Sequence, residues 1–204
     1  MMPDIASSGL ALVLTAVLAY LLGSVPFGVV ITRALGLGDL RKLGSGNIGA
    51  TNVLRTGNKA AALATLLLDA AKGGVAVAIA RGLVGEDAAQ LAALTSFLGH
   101  LFPLWLGFRG GKGVATFLGT LIVLDWRVGL AACATWAVTA AISRISSLSA
   151  LVSAAMTSAW LVIFHQGHML VLVVVLTLLI YWKHAPNLKR LKAGTEPRIG
   201  EKKL

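Results

Sequence analysis

The chain has 204 residues, of which 57% are hydrophobic and only 13% charged, with a formal net charge of +10 at pH 7. A soluble core of this size cannot hide so much apolar surface, so the composition excludes an ordinary globular protein and gives a polytopic membrane protein. The cations sit in loops and tail, and no nucleic-acid partner is read from them.

The first apolar run, residues 10–31, is too long for a signal peptide and lacks an early cationic region or cleavage site, so it is a first span. Pro26, inside GSVPFG, bends or thins its later part. Residues 39–59, DLRKLGSGNIGATNVLRTGNK, then interrupt the apolar pattern. They hold Gly44, Gly46 and Gly49, small hydroxyl and amide side chains, and Arg41, Lys42, Arg55 and Lys59 against Asp39. Exposed backbone N–H groups beside cationic side chains receive an anion, and phosphate is the expected one.

A second span, 60–84, carries Asp69 and Lys72. Three apart on a helix, they share a face and can pair, which is how two charges are tolerated inside a bilayer. They are read here as a structural ion pair. The third span, 88–105, runs into GHLFPLWLGFRGGKGVAT, where Pro103 and the glycines break the helix and present Arg109 and Lys112.

Apolar runs follow at 114–124, 128–142, 148–164 and 169–182. Several are shorter than the roughly 20 residues of a perpendicular span, so they are tilted, re-entrant or helped by local thinning of the bilayer. The expectation is an all-α integral membrane protein of about seven transmembrane helices. Short links leave no room for another module, so residues 1–204 form a single membrane domain, ending in a basic tail, 183–204. Lys202 and Lys203 are assigned to anionic headgroups, and His184 and Asn187 to the point where the last span meets the membrane surface.

If the 32–59 loop is cytoplasmic, fifteen Lys and Arg fall on that side and only Arg81 and Arg127 on the other. That bias puts the N-terminus outside and the tail in the cytoplasm, with the two glycine-rich loops on one cytoplasmic face.

Several chemistries are excluded by context. Gly44, Gly46 and Gly49 spell G-x-G-x-x-G without an upstream strand, and Lys112 of FRGGKG is followed by glycine rather than Ser or Thr, so neither motif binds a nucleotide. No histidine and carboxylate spacing fits a metal, and no metal or cofactor is expected. None of His100, His165, His168 or His184 has a carboxylate five residues on, and there is no G-x-S-x-G elbow. No nucleophile is paired with a base, so the chemistry is that of an already activated substrate. Cys133 reads as a small buried hydrophobe, and Trp105, Trp126, Trp160 and Trp182 as interfacial anchors.

GSVPFG, GSGNIGATNVLR, LDAAKGG, GHLFPLWLGFRGGKGVAT and KHAPNLKRLKAGTE together resemble the ordered motifs of the bacterial acyl-phosphate:glycerol-3-phosphate acyltransferases, the PlsY family. Where that family usually reads R-x-L-G-K, this chain has Arg55, Thr56, Gly57, Asn58 and Lys59. The resemblance implies a seven-helix enzyme of the bacterial cytoplasmic (inner) membrane that acts as a monomer among membrane lipid. It would move a fatty acyl group from acyl phosphate to the 1-hydroxyl of sn-glycerol 3-phosphate, giving lysophosphatidic acid and phosphate.

On the same resemblance, Ser45, Arg55, Lys112, His184 and Asn187 are assigned to the chemistry. Gly44, Gly46, Asn47, Gly49, Thr51, Asn52, His100, Gly110, Gly111 and Gly113 are assigned to substrate binding. The two glycine-rich cytoplasmic loops would form the site. The alternative from another class is a transporter of phosphate or an organic phosphate, which broken helices and an intramembrane Asp69/Lys72 pair would also fit, though no internal repeat supports it.

Overall fold

The structure, a computed structural model, describes residues 1–200; Lys202 and Lys203, assigned above to headgroups, lie outside the described residues. All regular structure among the described residues is helical. The chain divides into two compact units, one spanning Asp4–Leu124 and the other joining Met1–Pro3 to the chain from Asp125 onward.

The first unit holds six helices: α1 (Gly9–Gly23), α2 (Phe27–Ala34), α3 (Ala50–Val53), α4 (Lys59–Leu83), α5 (Glu86–Leu101) and α6 (Val114–Leu124). Ser8 caps α1 by accepting from the Ala11 N–H at 3.3 Å. The helix stops ahead of Pro26, whose missing N–H and fixed ring cannot continue the ladder. Chain direction resumes in α2, with Pro26 O taking the Val29 and Val30 N–H groups. Asn58 caps α4 through the Ala61 N–H at 2.9 Å, preceded by Gly57 at φ +87°. The Gly57–Asn58 departure from the family pattern is therefore a helix stop followed by a helix start.

Helices in hydrocarbon gain little from burying apolar surface against each other and associate through close backbone approach. Gly23 of α1 and Gly99 of α5 face each other's backbone so closely that a Cβ on either would collide with Ser96 or Tyr20 main-chain atoms. Gly119 of α6 meets the Ala70 backbone of α4 in the same way, and Thr116 Oγ1 donates to Asp69 O at 2.9 Å. The far end of α4 is tied down by Arg81, which donates to Val123 O and Leu124 O at the C-terminus of α6 and pairs with Glu86 at 2.8 Å. One of the two cations on the sparse side of the charge count thus satisfies carbonyls that the end of α6 leaves open.

The second unit contains α7 (Trp126–Ser143), α8 (Ser146–Ile163), α9 (Leu170–Lys183) and α10 (Ala185–Lys192). Asp125 caps α7 through the Arg127 and Val128 N–H groups and pairs with the Arg127 guanidinium at 2.7 Å. Hydroxyl and indole groups stitch the helices together: Ser153 Oγ to Ala132 O, Trp160 Nε1 to Thr135 Oγ1, and Tyr181 OH to Leu151 O. Inside an apolar layer such bonds satisfy side chains that have no water to turn to.

By length and composition, Gly9–Ala34, Lys59–Leu83, Glu86–Leu106 and Ser146–Ile163 can each cross a membrane. The pair Gly167–Lys183 and Ala185–Lys192, bent by 63°, would add a fifth if counted as one span, and Val114–Leu124 is a shorter apolar helix. This is an all-helical, multi-pass membrane protein.

Candidate active site

The first glycine-rich loop rests on an apolar base made by Val29, Leu40, Ile48, Val53, Ala61 and Ala62. Gly28 of α2 lets the Ile48 carbonyl approach to a distance that a Cβ would forbid. Leu106, from the second glycine-rich segment, packs against the same base. The two segments that the sequence singled out are therefore joined through one apolar cluster in the first unit.

Asn52 organises the loop from below. It is buried, with 1% of its surface exposed. Its Nδ2 donates to Leu40 O, Leu43 O and Asn47 O at 3.0, 3.0 and 2.8 Å. Its Oδ1 accepts from the Ser45 N–H at 3.3 Å, the Ser45 hydroxyl at 3.4 Å and Arg55 Nη1 at 3.2 Å. Gly44 is required where it stands, because its φ is +55° and a Cβ there would press on Asn52 Oδ1 and the Arg55 side chain. Ser45, Gly46, Thr51 and Arg55 are exposed above this base. Asp39 holds Arg41 by an ion pair at 3.2 Å, and that guanidinium keeps the Asp39 carboxyl below its usual range.

Three donors thus meet at one neutral amide oxygen, at the long end of hydrogen-bond distance. They are oriented by Asn52 without being strongly bound to it. A phosphate oxygen, which is charged, makes a stronger acceptor for the same donors.

The second segment folds back on the end of α5. Gly110 N–H donates to Leu101 O at 3.2 Å and Gly111 N–H to His100 O at 3.1 Å. A Cβ on Gly111 would strike His100 Nε2, and one on Gly113, at φ +81°, would strike the Phe97 ring. Lys112 is half-buried between these two glycines. His100 is buried at 4% exposure, with Nδ1 3.7 Å from Asp69 Oδ1.

His184 and Asn187 belong to the second unit. His184 is buried, and its Nδ1 lies 2.8 Å from Ile180 O. A carbonyl can only accept, so Nδ1 carries the proton and Nε2 is left as an acceptor nitrogen. Asn187 Nδ2 donates to Glu196 Oε1 at 2.5 Å, and that carboxylate also takes Ser147 Oγ at 2.7 Å and Arg190 Nε at 2.6 Å. Burial pushes the Glu196 carboxyl up, but the hydrogen bonds from Ser147, Asn187 and Arg190 outweigh it and hold the group below its usual range. Sequence reasoning gave Glu196 no role, although it closes the KHAPNLKRLKAGTE motif; its partner Ser147 is 49 residues away, and no local spacing announces that contact. No three His, Cys, Asp or Glu side chains gather to hold a metal ion among the described residues.

A multi-pass helical protein with a cationic, glycine-rich loop organised at a helix break is the class that fold and site define. The family model for glycerol-3-phosphate acyltransferase matches residues 13–194, and the chain belongs to that family. Its relatives include glycerol-3-phosphate acyltransferases of Cereibacter sphaeroides, 70% identical over 98% of this chain and 96% of theirs, and of Ruegeria pomeroyi, 59% identical over 98% and 99%. Among solved structures it is similar to PlsY (YgiH), an integral membrane glycerol 3-phosphate acyltransferase. The glycerol 3-phosphate form matches at TM-score 0.87 and 36% identity, covering 93% of this chain and 96% of that one. The lysophosphatidic acid form matches at 0.86 and 35%, covering 93% and 95%. Membership in an acyltransferase family leaves the transporter alternative without support.

Proposed function

We propose that this chain transfers a fatty acyl group from acyl phosphate to the 1-hydroxyl of sn-glycerol 3-phosphate, releasing lysophosphatidic acid and inorganic phosphate. The observation that carries the reading is the convergence of the Ser45 N–H, the Ser45 hydroxyl and Arg55 Nη1 on one acceptor position at Asn52 Oδ1. Both substrates of the reaction carry a phosphate, and a PlsY structure in a glycerol 3-phosphate form supports the acceptor.

In this reading Ser45 and Arg55 hold a substrate phosphate, with Gly44, Gly46, Asn47, Gly49 and Thr51 lining it; the Gly46 N–H, given to Leu43 O, shapes the loop. Lys112, set between Gly111 and Gly113, neutralises phosphate charge. Asn52 works through Ser45 and Arg55, and His100 through the loop of Gly110, Gly111 and Gly113. His184 and Asn187 are assigned to acceptor binding on the tail motif alone.

The acyl carbon–oxygen bond to the phosphate breaks as the bond to the glycerol 1-oxygen forms. The proton of that hydroxyl passes to a phosphate oxygen of the donor, which leaves as inorganic phosphate. A mixed anhydride needs no enzyme nucleophile, so positioning and charge stabilisation provide the catalysis. The protein is a monomer of the bacterial inner membrane, with seven crossings in one membrane domain, N-terminus outside, and no cofactor.

Phosphate release by detergent-purified protein tests the reading. Release that requires both palmitoyl phosphate and glycerol 3-phosphate, yields lysophosphatidic acid and fails with palmitoyl-CoA is the expected result. Activity with palmitoyl-CoA, or no product from folded protein with acyl phosphate, overturns it.

A further inference from the structure

Three ionisable side chains meet inside the membrane-spanning part of the first unit: Asp69 and Lys72 on α4 and His100 on α5, exposed by only 2%, 3% and 4%. Lys72 Nζ pairs with Asp69 Oδ1 at 2.9 Å, and His100 Nδ1 lies 3.7 Å from the same oxygen. Ion pairs in hydrocarbon are kept for a reason, since apolar residues of similar size would pack there without desolvating charge.

The contacts of the cluster supply that reason. Lys72 Nζ also donates to Val25 O at 2.7 Å, in the break between α1 and α2, and lies 5.8 Å from the Phe27 ring centroid. A carbonyl at a helix break inside a bilayer needs such a donor. From Phe27, α2 continues to Gly28, which is in close approach to Ile48 of the first glycine-rich loop. On the other side, His100 abuts Gly111, the residue before Lys112. Asp69 O meanwhile takes Thr116 Oγ1 at 2.9 Å, just beyond Gly113. A continuous line of contacts thus runs from the loop of Ser45 and Arg55 through the three side chains to the loop of Lys112.

We propose that Asp69, Lys72 and His100 are positioning residues that set the spacing between the two phosphate-holding loops. The proposal rests on the glycerol-phosphate reading given above. Asp69 and Lys72 neutralise one another, so the pair fixes geometry without adding net charge. Their loss displaces Lys112 relative to Arg55 and weakens substrate binding before it disturbs the fold.

The decisive variant is Asp69→Asn combined with Lys72→Met. It removes both charges together, so no buried charge is left unpaired; the Val25 carbonyl loses its Lys72 donor, a smaller cost than an unpaired charge, and the fold is retained. The expected result is a thermal midpoint near that of the parent protein and a KM for glycerol 3-phosphate raised about tenfold or more, with kcat changed much less. Calorimetric binding of glycerol 3-phosphate weakens in parallel. A second variant, His100→Asn, keeps a polar group near the Nδ1 position but removes the ring edge that abuts Gly111, and it shifts KM in the same direction.

A wild-type KM and binding constant in the folded double variant overturns the proposal, as does an unchanged KM in His100→Asn. A double variant that unfolds while His100→Asn has an unchanged KM assigns the cluster to stability alone and also overturns it. Failure of the underlying reading is separate, because it appears as a parent protein with no acyltransferase activity.

Discussion

Arg55 Nη1 and the Ser45 backbone N–H share one acceptor, Asn52 Oδ1, at 3.2 and 3.3 Å. The same side chain holds the loop's carbonyls through Nδ2. Both ends of the amide are therefore needed: the oxygen aims the donors and the nitrogen holds the loop that carries them.

Replacing Asn52 by Ala removes both functions, and kcat/KM for glycerol 3-phosphate is expected to fall about 100-fold. Asn52→Asp keeps an acceptor of the same shape but loses the three donated bonds and adds a negative charge under the phosphate, so it falls further. Steady-state kinetics on the two variants checks the order. Asn52→Asp at parental activity would sink the role given to this residue.

His184 separates two mechanisms. Its Nδ1 donates to Ile180 O, so only Nε2 has a lone pair with which to accept a proton. Gln places an amide near the Nε2 position but cannot act as a base. If a donor phosphate oxygen takes the proton, His184→Gln raises the KM for glycerol 3-phosphate about tenfold while kcat stays within about threefold. A drop in kcat of about 100-fold or more with KM unchanged would restore His184 as the general base.

The glycine-rich loops stood out in the sequence as candidate anion sites because glycine, hydroxyl and cation patterns are local. The Asp69–Lys72 pair was legible for the same reason, a spacing of three on one helix. The approach of His100 to that pair was not, because it joins α4 to α5 across 31 residues with no periodicity to mark it. Asn52 was counted among substrate-binding residues, whereas the structure buries it beneath the loop; an asparagine in a glycine-rich stretch reads the same in either place. Gly23 and Gly28 stood out only as parts of GSVPFG and Gly99 only as the start of the second glycine-rich segment; their service, which is to let another backbone approach, leaves no mark in the sequence.

Gly113 tests how tightly the second loop is built. At φ +81°, alanine there meets a left-handed strain of about 1–3 kcal/mol and the Phe97 ring together. Gly113→Ala is expected to lower both the thermal midpoint in detergent and kcat/KM. Adding Phe97→Leu relieves the ring contact but not the strain, so the double variant recovers part of the loss. Full recovery would mean that the positive φ carries no cost, and no recovery that Phe97 is not the obstacle.

Glu196 carries the pH dependence of the tail. Its side chain is 6% exposed, and Ser147, Asn187 and Arg190 converge on it. Its carboxyl is held below the usual 4.5 despite burial. The folded state therefore gives up this proton more readily than the unfolded state. Ionised Glu196 stabilises the fold at pH values above 4.5, and that contribution is lost as the pH falls through the lower folded value. Glu196→Gln keeps an oxygen for Ser147 and Asn187 but no charge for Arg190, so its thermal midpoint is lower than the parent's at pH 7 and the two converge as the pH falls below 4.5. Because Asn187 keeps an acceptor, kcat/KM at pH 7 should fall less in Glu196→Gln than in Glu196→Ala. A gap between parent and Glu196→Gln that persists unchanged to pH 3 would show that the lost stability does not come from the ionised carboxylate.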